Sequence, residues 1–167
     1  MRKTSLTLAV AAGSLGLSQS TLADFVNDST ATLELRNLYF NSDNRENNDT
    51  TGQAREWGQG FIFNYKSGFT EGTVGFGLDA VGLVGLRLDS GGRGGKAGID
   101  RTPGQLFPLD SDGSPESSYA KAGVTAKVRV SKTELRLGTL QPKLPVVSFN
   151  DGRLVPQLFE GGADHLQ

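Results

Sequence analysis

Within four residues, Asn150-Asp151-Gly152-Arg153 offers a carbonyl acceptor, a negative charge and a two-pronged guanidinium donor. Such a set recognises charge and shape in a small polar solute, and holds it by hydrogen bonds and ion pairing. The rest of the reactive inventory is thin. The chain of 167 residues has no Cys and a single His, at position 165. That removes thiol chemistry, Cys zinc sites, disulfide frameworks and almost every His-dependent triad. Carboxylates such as Glu134 and Asp151 lack an assembled partner, so no enzyme, cofactor or metal is expected. Ser90-Gly91-Gly92-Arg93-Gly94-Gly95-Lys96-Ala97 has the look of a phosphate loop, but Ser90 replaces its first Gly and Ala97 its hydroxyl, which leaves a Gly-rich loop. Asp110-Ser111-Asp112-Gly113 starts like a calcium loop, yet its Gly comes too early.

Bulk charge points to no partner. Seventeen Lys and Arg face eighteen Asp and Glu, a net charge of −1, so no basic field attracts nucleic acid. The N-terminus is more informative. Met1-Arg2-Lys3 is a short positive segment, Leu6 to Leu17 is mostly apolar, and Thr21-Leu22-Ala23 places small residues before Asp24. Residues 1–23 read as a secretory signal peptide, with an exported chain beginning at Asp24. Beyond it no apolar run is long enough for a transmembrane helix.

The elements that must carry the polar groups are strands, because the dominant period is two. Val74, Phe76, Leu78, Ala80, Gly82, Val84, Leu86 and Leu88 alternate with small or charged residues such as Gly75, Gly77, Asp79 and Arg87. Ala120, Ala122, Val124, Ala126, Val128 and Val130 alternate in the same way with Lys121, Gly123, Thr125, Lys127 and Arg129. Further strands are expected at about 30–40, 56–66 and 133–140, five in all. Their connections run long, short, long, short, the meander of an outer-membrane barrel with long outer loops and short periplasmic turns. A soluble sandwich shares that rhythm. The barrel is favoured by charges placed mid-strand on one face, with an apolar row on the other. Aromatics fall near the ends of that row, Tyr39 and Trp57 at the loop end and Tyr65 at the turn end. A nine-residue strand tilted near 40° rises roughly 20–25 Å, which suits the apolar band of such barrels.

Three stretches carry a family likeness: Leu35-Arg36-Asn37-Leu38-Tyr39-Phe40, Glu56-Trp57-Gly58-Gln59-Gly60-Phe61, and the run from Leu140 to Gly161 that includes Asn150-Asp151-Gly152-Arg153-Leu154. With them the chain, from its signal peptide to about Gly162, resembles the OprD family of substrate-specific outer-membrane porins. The resemblance implies an all-β, antiparallel up-and-down transmembrane β-barrel of eighteen strands in the bacterial outer membrane, often found as a trimer. It also implies passage of small carboxylate-bearing solutes such as amino acids or aromatic acids.

In that family the third outer loop folds back into the lumen, here roughly Gln141 to Gly161. Asn150, Asp151 and Arg153 are then the expected pore constriction, and Arg36, Lys121, Lys127, Arg129 and Arg136 an expected basic track along the lumen. Glu34, Asp79 and Glu134 share that surface. Residues 24–162 are read as the N-terminal part of the barrel and 163–167 as an atypical tail. Five strands leave two open edges, so the chain is expected to be a truncated piece of a longer porin. The alternatives are an exported soluble β-sandwich that binds a ligand and a small structural outer-membrane barrel.

Overall fold

In the computed structural model the described residues are 25–43, 53–89 and 104–166. The expected signal peptide and the Gly-rich stretch 90–97 lie outside them. Six strands form one antiparallel sheet in chain order: β1 (Thr30–Asp43), β2 (Gln53–Lys66), β3 (Val74–Asp89), β4 (Ser118–Val130), β5 (Thr133–Leu140) and β6 (Phe159–Leu166). The sixth strand corrects the count of five. Residues 163–166, expected as a tail, belong to β6, which pairs with β5 from Leu140↔Phe159 to Thr133↔Leu166. Gly161, Gly162 and Asp164 hide the alternation there, and the backbone ladder supplies the order that side chains do not announce.

The faces of this sheet are inverted relative to a protein that folds in water. Leu33, Leu35, Phe63, Phe76, Val84, Val124, Leu135 and Leu137 are all exposed, with Val124 at 59%. Glu56, Thr125, Lys127 and Glu134 are buried on the other face. A contiguous apolar surface of this extent is unfavourable in water and favourable against hydrocarbon. The apolar row is therefore the outer, lipid-facing side. Tyr39 and Trp57 stand directly opposite each other near its loop end, as expected of an interfacial aromatic pair.

The core lies on the inner face, between the wall and two inward segments. Ile62 of β2 and Leu83 of β3 meet Leu106 and Phe107 from the connection before β4, and Leu154 and Val155 from the connection before β6. Burying one such side chain contributes about 1.5–3 kcal/mol, which is what keeps both segments on the wall. Phe107 meets Tyr119 of β4 edge-on, with ring centroids 5.7 Å apart.

Gly138 decides where the chain leaves the wall. Its φ of +131° is one that L side chains rarely adopt, and a Cβ there would collide with the Val124 carbonyl oxygen. Pairing between β4 and β5 stops at Thr125↔Gly138. Thr139 is turned to the inner face, where it is buried. There its hydroxyl donates to Glu160 Oε1 at 2.6 Å, and Thr125 Oγ1 donates to its carbonyl. Above this level β4 has no β5 partner, and residues 141–158 run over the inner face instead.

Candidate functional site

Two glycines of β2 make the seat on which the site rests. Gly58 and Gly60 are inner-face positions, and a Cβ at Gly60 would stand 2.6 Å from the Leu154 carbonyl oxygen. One at Gly58 would stand 2.7 Å from the Phe107 ring and 2.8 Å from the Leu154 side chain. Only a bare backbone lets the loops come this close. Glu56, in the same row and fully buried, accepts the backbone N–H groups of Gly104 and Leu106. A buried carboxylate met by two N–H donors clamps the start of the first segment to the wall.

The second segment is clamped by Arg36. Its Nη1 donates to Asp151 Oδ1 at 2.8 Å and to the carbonyls of Asp151 and Arg153 at 3.2 and 3.0 Å. Its Nε and Nη2 donate to Glu34 Oε1 at 3.0 and 2.7 Å. Asn150 Oδ1 accepts the Gly152 N–H at 2.7 Å, and the Gln157 N–H donates to the Asn150 carbonyl at 2.9 Å, which closes the loop on itself. Arg153 Nη1 donates to the Gln105 carbonyl and so ties the two inward segments together.

The structure sorts the expected residues by whether their charge is already compensated. Arg36 is paired with Glu34 and Asp151. Lys127, only 5% exposed, sits 2.7 Å from Asp79 and donates to the Ser67 carbonyl at 2.8 Å. Arg136 Nε is 2.5 Å from Glu134. All three of these expected lumen cations are thus paired with carboxylates of the wall or of the inward loop. Asp151 and Asn150 are likewise engaged, one by Arg36 and the other by its own turn. Lys121 and Arg153 differ: both line one cavity of about 410 Å³, with Tyr119, Asn150 and Gln157 around it. Among the described residues no carboxylate pairs with either. Arg129 stands apart from this cavity, near the short turns.

The profile of the family described as "outer membrane porin, OprD family" matches residues 23–165. The chain belongs to the OprD family. Porin D of Pseudomonas aeruginosa is 42% identical to it over an alignment of 169 positions, covering 96% of this chain and 36% of that protein. The crystal structure of P. aeruginosa OccK9 (OpdG) superposes with a TM-score of 0.77 at 43% identity, covering 86% of this chain and 35% of that one. P. aeruginosa OpdK, solved with vanillate, gives 0.74 at 43% identity, covering 86% and 34%. The chain spans about a third of the length of the curated relatives it matches. OprD porins are β-barrel proteins of the bacterial outer membrane, and this sheet is the antiparallel wall of a partial barrel. As members of a porin family they are passive channels rather than enzymes.

Sequence reasoning missed two roles: Glu56 as the clamp on the first inward segment, and Asp79, expected only to share the lumen surface, as the partner of Lys127. A usable signal was present in the inward positions that carry glycine, Gly58 and Gly60 on β2 and Gly75 and Gly77 on β3. A pair of bare positions in a strand marks the approach of another backbone.

Proposed function

We propose that this chain supplies part of the wall and the narrowing of a passive outer-membrane pore for small carboxylate-bearing solutes, with Lys121 and Arg153 as the cations that select them. The single observation that carries this reading is the compensation pattern. Asp151 is cancelled by Arg36, whereas Lys121 and Arg153 share a cavity in which, among the described residues, no carboxylate pairs with either. An anionic solute supplies the missing charge, and the guanidinium still has N–H groups to present to it after bonding Gln105. The solution of OpdK with vanillate, a carboxylate, supports the same class of solute.

The test uses complete barrels, in which residues 25–166 are joined to the remainder of Porin D. In planar bilayers Arg153→Ala is expected to raise single-channel conductance and lower the preference for anionic over neutral solutes of similar size. Arg153→Lys keeps the charge and loses the fork, so its selectivity should fall between the two. Unchanged conductance together with unchanged selectivity in Arg153→Ala would reduce Arg153 to the tie between loops and place selection elsewhere.

A further inference from the structure

The lipid-facing row of β1 and β2 is not apolar throughout. From the turn end upward it carries Leu33 opposite Phe63, Leu35 opposite Phe61, Asn37 opposite Gln59, and Tyr39 opposite Trp57. Leu33, Leu35 and Phe63 are exposed along it, as are Asn37 and the two aromatics above. The long loops of such a barrel lie outside the cell, so the row climbs from hydrocarbon to the external headgroups, and the aromatic pair marks the boundary. Two residues of tilted strand put the amides about 5 Å below that boundary. They stand where a hydrocarbon-facing side chain is expected.

The two amides are joined to each other and held in place. Trp57 Nε1 donates to Asn37 Oδ1 at 2.9 Å, Asn37 Nδ2 donates to Gln59 Oε1 at 3.1 Å, and Gln59 Nε2 donates to the Gly60 carbonyl at 3.1 Å. This run of bonds uses one N–H of each NH2 group, and a primary amide has two. Among the described residues nothing accepts the second N–H of either. An unmet N–H facing hydrocarbon is costly, so whatever lies against this row must carry hydrogen-bonding groups at this depth. Charge is not what the row offers it. Both amides are neutral, and Arg55, the next residue of the row on β2, is paired with Asp89 at 3.1 Å.

We propose that Asn37 and Gln59 form a binding site on the outside of the barrel for the glycolipid of the external leaflet, and that they grip it at the amide joining its acyl chain to the sugar. Just below the sugar such a lipid carries that amide and a nearby chain hydroxyl. Their oxygens accept the second N–H groups of Asn37 and Gln59, while the lipid N–H and O–H donate to the remaining lone pairs of Asn37 Oδ1 and Gln59 Oε1. The sugar then lies level with Tyr39 and Trp57, and the acyl chain runs down over Leu35, Phe61, Leu33 and Phe63. An ester-linked phospholipid has acceptors at this depth but no donor, so it satisfies only half of the pair. Trp57 is the positioning residue, because its N–H fixes the Asn37 carbonyl.

The experiment counts lipids bound to complete barrels by native mass spectrometry in mild detergent, with lipid A or phosphatidylglycerol as the titrant. The parent is expected to bind lipid A at lower concentration than phosphatidylglycerol. Asn37→Leu combined with Gln59→Leu leaves an ordinary lipid-facing row, which should fold as the parent does. It is expected to weaken lipid A binding about tenfold, the worth of two hydrogen bonds, and to leave phosphatidylglycerol binding unchanged. Asn37→Gln combined with Gln59→Asn keeps both amides and should recover most of the binding. Equal affinity of the parent for the two lipids overturns the proposal, as does parent-like lipid A binding in the leucine variant. Loss of a parent dimer or trimer in the leucine variant, with lipid A binding unchanged, would also overturn it and give the amides to an interface between copies.

Discussion

Val124→Arg is expected to destabilise the complete barrel by about 2–4 kcal/mol, the cost of an arginine facing lipid near the midplane. Val124 lies mid-strand on β4, opposite Ala80 of β3, and is among the most exposed residues of the apolar row. Its neighbours along the row, Ala122 and Ala126, offer no counter-charge. Lys121→Arg, one row along on the inner face and exposed to the lumen, should change stability by less than about 0.5 kcal/mol. The adjacent Thr125 is not a suitable inward control. Alternation alone makes it open to the lumen, but it is buried, with its hydroxyl on the Thr139 carbonyl. Urea unfolding of vesicle-embedded barrels measures the difference. Equal stability of the Val124→Arg and Lys121→Arg variants would contradict the assignment of faces.

Gly60→Val carries the second large effect, and it acts on the loop rather than on the lipid face. Its first added atom would stand 2.6 Å from the Leu154 carbonyl oxygen. Backbone cannot rotate out of the way as a side chain can, so residues 150–157 must lift off the wall. Leu154 and Val155 then lose their burial against Ile62 and Leu83, at a cost of about 1–3 kcal/mol. The clamp cannot hold the loop by itself, because the Arg36–Asp151 ion pair, half-buried at Arg36 and exposed at Asp151, contributes only about 1 kcal/mol. The expected result is a larger and noisier conductance, with new protease cleavage between residues 141 and 158. Parent-like conductance and cleavage would show that the loop is held by something other than its glycine seat.

How much was legible follows from what each region is pressed to do. In β3 and β4 the lipid demands an apolar residue at every second position, so Val74 to Leu88 and Ala120 to Val130 announce themselves as strands. In β6 the only demand is that the backbone pair with β5, and Gly161, Gly162 and Asp164 leave no pattern to read. The site divides in the same way. Asn150, Asp151 and Arg153 are visible as a polar cluster because they are close in sequence. That Arg36 answers Asp151 is not visible, since 115 residues separate them. Nor does a lysine reveal whether it is open or paired. Lys121 and Lys127 alternate identically in β4, yet one faces a cavity and the other is buried against Asp79. The difference lies in Gly77, which stands opposite Lys127 and leaves room for its side chain to cross β3.

The charged face of this sheet is an aqueous lumen and the apolar face its lipid boundary. Because these 167 residues hold no cysteine, a thiol introduced among them is read against the unsubstituted complete barrel as its background. The decisive measurement compares Lys121→Cys with Val124→Cys in complete barrels, treated with a charged, water-soluble thiol reagent during single-channel recording. Lys121→Cys is predicted to react quickly and to lower the current in discrete steps as each adduct enters the pore, while Val124→Cys stays unmodified with its current unchanged. Rapid modification at Val124 with protection at Lys121 would mean that the two faces are reversed.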